Sequence, residues 1–324
     1  MIKNLKDKNC EPTPLLNVSV IVITKNEAES IRQCLESMIN QSVKPFEVII
    51  VDGHSTDNTL KIAREYPVEI IEETGKPSPS NARNLGVENA KGEIVLVIGA
   101  DAELERDCIK NVLGHFRDPQ VIVVVPKLKI RIHTRFEKTQ QLWFYGTRSR
   151  FRTPHGTGSS IQFIRKEVYE KVKFDPSIGF GDDSDFRRRL LKQFGKTHKI
   201  VRSENSKVLV DLPHTISEAK SQYIWYGRSS RKYYARYHAS DTLLRIGSLL
   251  LPITFLILAG VSLFFWYALY LAVPVFILFI TRNFIICFRS KSTRFFDFIF
   301  FDLTRSLFFV YGFLQGFVNK KVGR

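Results

Sequence analysis

The ordered pattern of the chain begins at Val18–Ile23 (VSVIVI), an apolar, β-branched run interrupted only by Ser19. A run of this kind, followed by the polar Thr24-Lys25-Asn26-Glu27, predicts a strand buried on both faces. Ile31, Leu35 and Met38 then recur at helical spacing. The alternation repeats. Phe46–Val51 (FEVIIV) predicts a second strand ending at Asp52, residues 59–66 a helix, and residues 68–71 a short third strand. Residues 80–90 predict a helix capped by Ser80, Ile94–Ile98 a strand ending at Gly99-Ala100-Asp101, and Val121–Val125 a fifth strand. Strands alternating with helices through short loops predict an α/β domain with a mostly parallel, Rossmann-like sheet. Ligands of such sheets bind beyond the carboxyl ends of the strands. Three polar clusters fall there: Thr24–Glu27, Asp52–Asp57 and Asp101–Glu103.

The pattern changes towards the carboxyl end. Ile246–Ile280 is a run of 35 residues without a charge. As one helix it would rise about 52 Å, against a hydrocarbon thickness of about 30 Å. The run therefore predicts two membrane helices joined as a hairpin, about 243–263 and 266–286. Trp266, Tyr267 and Tyr270 would lie at the interface near the turn, and Arg282 would snorkel from the end of the second helix. A third apolar stretch, 295–318, carries Asp297, Asp302 and Arg305 on one half of its helical wheel, together with Gly312, Gln315 and Gly316. That predicts a helix lying in the interface, or a span with its polar side against the other two. The chain thus divides into a polar tail (1–16), an α/β domain (17–240) and a helical membrane region (241–324).

Charge sharpens this division. The net charge is +16, yet residues 1–186 hold 26 basic and 26 acidic side chains, so the whole excess lies beside the apolar segments. Basic flanks of apolar spans favour the cytoplasmic face and anionic headgroups. The neutral first part argues against a nucleic-acid partner. The four cysteines (Cys10, Cys34, Cys108, Cys287) form no C-x-x-C pair, which excludes a zinc or redox site of that kind. Neither G-x-x-x-x-G-K-[ST] nor a G-x-G-x-x-G after the first strand occurs, so P-loop and dinucleotide sites are not favoured. Acid stands where those sites have glycine. A carboxylate at a strand end accepts from a nucleobase or ribose, and paired carboxylates hold a hard divalent cation that clamps a diphosphate.

Four segments in order, VSVIVITKNE, VIIVDGHSTDNT, SNARNLGVENAKGEIVLVIGADAEL and GFGDDSDFRRRL, resemble glycosyltransferase family 2, over about residues 17–230. The apolar tail resembles the membrane segments of prokaryotic members, including polyprenol-phosphate sugar transferases. The resemblance implies a GT-A nucleotide-diphospho-sugar transferase fold. It implies that Asp52 binds the nucleobase, that Thr24 and Glu27 line the nucleotide pocket, and that Arg83 and Asn84 contact the nucleotide or its phosphates. Asp101 corresponds to the second acid of the D-x-D metal motif, with Glu103 and His214 as further candidate ligands of Mg²⁺ or Mn²⁺. Asp183 corresponds to the general base of the E-D pair, with Asp182 in place of its glutamate. Gly99 replaces the first acid of D-x-D, and the Q-x-x-R-W motif of processive synthases is not met at Gln222–Tyr226, so one sugar per acceptor is expected. Arg228 and Arg231, in the basic and aromatic stretch Trp225–Tyr237, would cradle an anionic lipid headgroup.

The expected activity is inverting, metal-dependent transfer of a sugar from a nucleotide-diphospho-sugar to a membrane-associated acceptor: a lipid-linked saccharide, a glycolipid or a polyprenyl phosphate. The expected setting is a multi-pass protein of the cell membrane with a cytoplasmic catalytic domain. The alternative is an inactive sugar-nucleotide-binding membrane protein, on account of Gly99. Each residue also has a plainer role open to it. Asp52 suits a turn, Asp101 and Asp57 suit helix caps, Arg83 suits a surface salt bridge, Asp182, Asp183 and Asp185 suit a helix first turn, His214 and His155 suit structural positions, and Trp225–Tyr237, with Arg228 and Arg231, suits an interfacial anchor.

Overall fold

A computed structural model of the protein describes residues 16–75, 77–148, 161–237 and 240–318, so Cys10 and His155 lie outside the described residues. The chain forms two compact units. One comprises Met1–Lys129, Gly158–Phe174 and Phe186–Leu209; the other comprises Ile130–Thr157, Asp175–Asp185 and Val210–Arg324.

The first unit follows the predicted alternation: β1 (Val18–Thr24), α1 (Ile31–Ile39), β2 (Glu47–Asp52), α2 (Thr59–Ala63), β3 (Glu69–Glu72), α3 (Pro79–Asn89) and β4 (Ile94–Gly99). β5 (Ala102–Leu104), α4 (Cys108–His115) and β6 (Val121–Ile130) follow. After α5 (Arg135–Arg148) come β7 (Gln162–Arg165), α6 (Lys166–Val172), α7 (Asp182–Phe194) and β8 (Lys199–Val210). The sheet order is β3-β2-β1-β4-β7-β6-β8-β5. β1 pairs in parallel with β2 and β4, and β2 with β3, whereas β7 runs antiparallel to both β4 and β6. Strand order 3-2-1-4 with helical crossovers is that of a doubly wound sheet.

Its core is apolar throughout. Ile21, Ile49, Val51 and Val97 of the strands pack with Ala82 and Val87 of α3, Tyr169 of α6, and Phe186 and Leu190 of α7. Phe174 and Phe186 stack with centroids 4.4 Å apart. α3 crosses β1 so closely that a Cβ at Gly86 would overlap the Ile21 side chain. The helix is capped by Ser78, whose hydroxyl accepts from the Asn81 N–H at 3.1 Å; Ser80 is buried inside it and is not the cap. α2 ends at Ala63, three residues short of the predicted end, and β5 and β7 extend the sheet beyond the predicted strands.

The second unit is helical: α5, α8 (Ile216–Ser229), α9 (Arg231–Arg236), α10 (Ser240–Ser262), α11 (Leu269–Arg289) and α12 (Phe295–Val318), with a 3₁₀ turn at Trp266–Ala268. α10 and α11 pack against each other, with Phe255 against Phe276 at 4.8 Å. Trp266–Arg289 is the one described helix long and apolar enough to cross a membrane, and only 28% of its most apolar window is buried. The described apolar part of α10, Leu249–Ser262, is shorter. Arg282 does not snorkel: its guanidinium turns inward onto the buried carboxylate of Asp302 on α12. Arg305 binds the same carboxylate at 2.8 Å and stacks over Trp143 of α5. Gly227 of α8 meets Phe309 of α12, and Gly312 of α12 meets Ile224 of α8, so closely that a Cβ at either would overlap backbone. The outer face of α12 is apolar, with Phe296, Phe300, Tyr311 and Leu314 exposed.

Candidate functional site

Strand register assembles the first part of the site. Thr24 lies opposite Asp52, and Ile23 opposite Gly99, so the loops after β1, β2 and β4 leave one edge of the sheet together. The β1–α1 and β2–α2 loops are laced to each other. Asn26, at a positive φ of 56°, receives the Thr56 N–H on its side-chain oxygen at 2.8 Å, and its own N–H reaches the Ser55 hydroxyl at 2.9 Å. The Glu27 N–H donates to Thr59 Oγ1 at 2.7 Å, and the Ala28 N–H to Asp57 at 3.1 Å. Asp57 also accepts from the Thr59 N–H, so it fastens this loop pair as well as opening α2.

Asp52 is 1% exposed, and its two oxygens accept from the N–H and hydroxyl of Ser55. The turn leaves each carboxylate oxygen a second lone pair with which it could accept from a ligand. Beside it, the Thr24 hydroxyl is buried with no hydrogen-bond partner, a cost that a bound polar ligand would relieve. Glu73, which the sequence reading did not single out, closes this wall. It is 4% exposed and accepts from the Ser78 N–H and the Asn81 amide. Its carbonyl holds His54, itself at a positive φ of 61°. Arg83 is buried with its guanidinium 4.8 Å above the Phe174 ring. Asn84 spends both ends of its amide on the Phe174 backbone, at 2.8 and 2.9 Å.

Acids gather at the ends of β1 and β4. The Glu27 carboxyl is pushed up by burial and by the charges of Asp101, Asp57 and Glu29, against a lowering bond from Ser30. Burial, then Asp101, Glu103 and Glu27, push up the Cys34 thiol at the near side of α1. Asp101 is exposed, and its Oδ1 lies where a Cβ on Gly99 would fall, so the surviving acid occupies space beside the missing one. Exposed carboxylate oxygens in a negative field suit a hard divalent cation. Among the described residues no three His, Cys, Asp or Glu form a set that could hold a metal alone. A cation at Asp101 and Glu103 would thus share oxygens with a ligand.

The second unit carries the acids of GDDSD. Asp182 is 9% exposed and Asp183 half-buried in the first turn of α7. The Asp183 N–H donates to Asp182 Oδ1 at 2.7 Å, and the Ser184 N–H to Asp183 Oδ1 at 2.7 Å. Asp185 is fully buried and binds Arg236 and Tyr237.

Residues 19–173 match Glycosyl transferase family 2. This segment is similar to family 2 glycosyltransferase domains. The chain is similar to a dolichyl N-acetylglucosaminyl phosphate glucuronosyltransferase of Methanococcus voltae, 25% identical over 54% of this chain and 62% of that protein. Glycosyltransferase GlyG of Streptococcus pneumoniae is 22% identical over 54% of this chain and 65% of its own length. The poly(ribitol-phosphate) β-N-acetylglucosaminyltransferase TarS of Staphylococcus aureus is 30% identical over 36% of this chain and 21% of its own length. The chain spans less than two-thirds of the length of each of these relatives. The crystal structure of S. aureus TarS 1-349 in complex with UDP-GlcNAc superposes with a TM-score of 0.51 at 15% identity, covering 93% of this chain and 92% of that one. That likeness carries the fold: a GT-A-like α/β fold with a mostly parallel sheet.

In the matched segment, Thr24 and Asp52 end β1 and β2, Glu27 and Asp101 lie in the loops after β1 and β4, and Glu103 lies in β5. His214, in the second unit, holds its Nδ1 2.5 Å from Oε1 of the buried Glu137, which raises the imidazole pKa. Burial pushes the Glu137 carboxyl up, but bonds from the His133 N–H, His214 and the Thr134 N–H outweigh it and leave it lowered. Arg228 is exposed at the end of α8 and donates to Gln315 of α12; Arg231 is exposed at the start of α9.

Proposed function

We propose that the protein is an inverting glycosyltransferase that moves a sugar from a nucleotide-diphospho-sugar to a membrane-associated acceptor. The observation that carries this reading is the strand-edge set of Thr24, Asp52 and Asp101 within a family 2 domain. Asp52 accepts from nucleobase N–H groups, and the orphaned Thr24 hydroxyl supplies a further polar contact. Asp101 and Glu103 would hold Mg²⁺ or Mn²⁺, whose positive charge stabilises a leaving diphosphate when bound. The acceptor oxygen forms a bond to the anomeric carbon as the bond to the diphosphate breaks from the opposite side. Asp183 takes the proton of a hydroxyl acceptor. A phosphate acceptor is already ionised and needs no base; Arg228 and Arg231 then supply the countercharge.

The acceptor class is argued from three features. The apolar faces of α11 and α12 are exposed, and the basic excess lies in the same part of the chain. The name of the M. voltae relative specifies a dolichyl-linked acceptor. Phe296, Phe300, Tyr311 and Leu314 face outward while Gly312 and Gly316 lock α12 to the polar helix α8. α12 therefore lies in the membrane interface rather than crossing alone. The test is incubation of the purified chain with radiolabelled nucleotide sugars and a membrane lipid extract. Label in the lipid phase, lost in Asp101→Ala, is the expected result. Nucleotide binding with no transfer from any donor would instead leave a sugar-nucleotide-binding protein without activity.

A further inference from the structure

Three carboxylates in four residues open α7, yet they are not equivalent. Asp185 is fully buried, and its Oδ1 accepts from Arg236 Nη1 at 2.9 Å and from the Tyr237 hydroxyl at 2.6 Å. The other arm of the same guanidinium, Nη2, binds Asp175 Oδ2 at 2.6 Å. Arg236 therefore ties the two ends of the segment 175–185 to one point at the end of α9. The middle of the segment is held by neighbouring residues. The Phe180 N–H donates to the Ser229 hydroxyl at 3.0 Å, and the Phe180 ring packs among Tyr226, Tyr233 and Phe309. Gly181, at a φ of +84°, lies flat against the Tyr233 ring, where a Cβ would fall 2.7 Å from ring carbon. No side chain fits there, and the backbone must turn left-handed to start the helix.

Residues two apart on a helix lie about 200° around its axis. Pinning Asp185 toward α9 therefore turns Asp183 to the opposite side of the helix and fixes the rotation of the first turn. The geometry points to Arg236, assisted by Tyr237, as a positioning residue: it holds the Asp182–Asp183 turn in its reactive orientation without touching substrate. The forked guanidinium is required because one group must reach two carboxylates at once, which an ammonium does poorly. The inference rests on the reading of Asp183 as base.

The test is steady-state kinetics of the full chain in detergent. The donors are radiolabelled UDP-N-acetylglucosamine, UDP-glucose and GDP-mannose, with lipid extract as acceptor, and hydrogen exchange is measured over residues 175–185. Arg236→Met should lower kcat about 10²-fold, the usual cost of misplacing a reacting group by about 1 Å, with donor KM within about twofold. Arg236→Lys should restore part of the loss. In an Asp183→Asn background Arg236→Met should add almost nothing, because both changes act through one group. The same factor lost in both backgrounds, or a loss confined to donor KM, would overturn the proposal. Exchange reads the clamp even without turnover: Arg236→Met should expose 179–185 and leave the loop after Asp52 unchanged. Wild-type protection of 179–185 in Arg236→Met sinks the clamp whatever the activity. A wild-type chain that transfers from none of the donors sinks the proposed activity instead, and exchange still decides the clamp. Full rate in Asp183→Asn sinks the base assignment alone, and the cycle is then read on Asp182→Asn in the same turn.

Discussion

The two units differ in what they bury beside their apolar cores and in what they leave exposed. In the α/β unit Val, Ile and Phe fill the interior, and Phe46 is its one large apolar side chain with a high exposure among the described residues. In the helical unit a buried apolar cluster that includes Trp143, Phe298 and Phe301 sits beside buried charge: Asp302 between Arg282 and Arg305, Glu137 under His214, Asp185 under Arg236. Its outside holds Leu263, Phe264, Trp266, Phe288 and Phe296. Exposed apolar surface of this extent marks a binding or membrane surface, and it is the feature behind the membrane-associated acceptor proposed above. In the α/β unit the buried acids, such as Asp52, line the proposed ligand site; in the helical unit most of them hold helices together.

The contrast is most easily broken at Asp302. Asp302→Asn keeps the shape but leaves two buried guanidinium groups without their carboxylate. It should cost about 3–5 kcal/mol, as breaking a buried ion pair does, read as thermal unfolding in detergent while nucleotide binding by the α/β unit persists. Replacing Arg282, Asp302 and Arg305 together by Met, Leu and Met should recover much of that loss. A single Asp302→Asn as stable as wild type would show that the charges do not hold the helices.

At the strand edge the effect should fall on chemistry instead of stability. Asp101→Ala should lower kcat about 10²–10³-fold, the range for losing one charge-stabilising group, with an unchanged melting temperature. Gly99→Asp forces the Asp101 carboxylate to swing aside, because its Oδ1 lies where the new Cβ must go. Activity with Mn²⁺ should survive in that variant, since only the far end of a side chain has to move. Metal titrations of both variants check this.

A smaller loss is expected where α8 and α12 touch. Gly312→Ala places a methyl against the Ile224 carbonyl and should cost about 1–3 kcal/mol by overpacking, seen as a lower melting temperature in detergent. Gly247→Ala, with open space around it, is the matched control.

The smallest effect is a pH dependence at His214. Glu137 raises its pKa in the folded chain. The pair therefore stabilises fully below the unfolded value of about 6.5 and loses that contribution as pH rises through the raised folded value. The imidazole is nearly half exposed, so about 1 kcal/mol or less is at stake after solvent screening. Melting curves at pH 6 and pH 9 should converge in His214→Gln.

Much of this was legible residue by residue. The runs at Val18, Phe46 and Ile94 are strands within one or two residues of their predicted ends, because a continuous β-branched run has few other ways to bury itself. The acids at the strand ends followed from the same pattern. β7 and its antiparallel pairing were not legible, because a four-residue strand in an irregular stretch carries no period to read. Nor was Glu73, whose role arises only when the loop after β3 folds over Asp52. Ser80 suits a cap by residue type alone, but Pro79 at the first helical position moves the cap to Ser78.

What the sequence alone determined is therefore local: period, run length, charge distribution and the order of four motifs, each set by neighbours along the chain. What only the tertiary structure decided is which partner each polar group finds. Arg282 reaches Asp302 and not the interface, Asn84 spends its amide on Phe174, and Asp185 is taken up by Arg236. The reason is physical. A buried polar group must be satisfied by whatever packs against it, and helices far apart in sequence bring those partners, so no spacing in the chain records them.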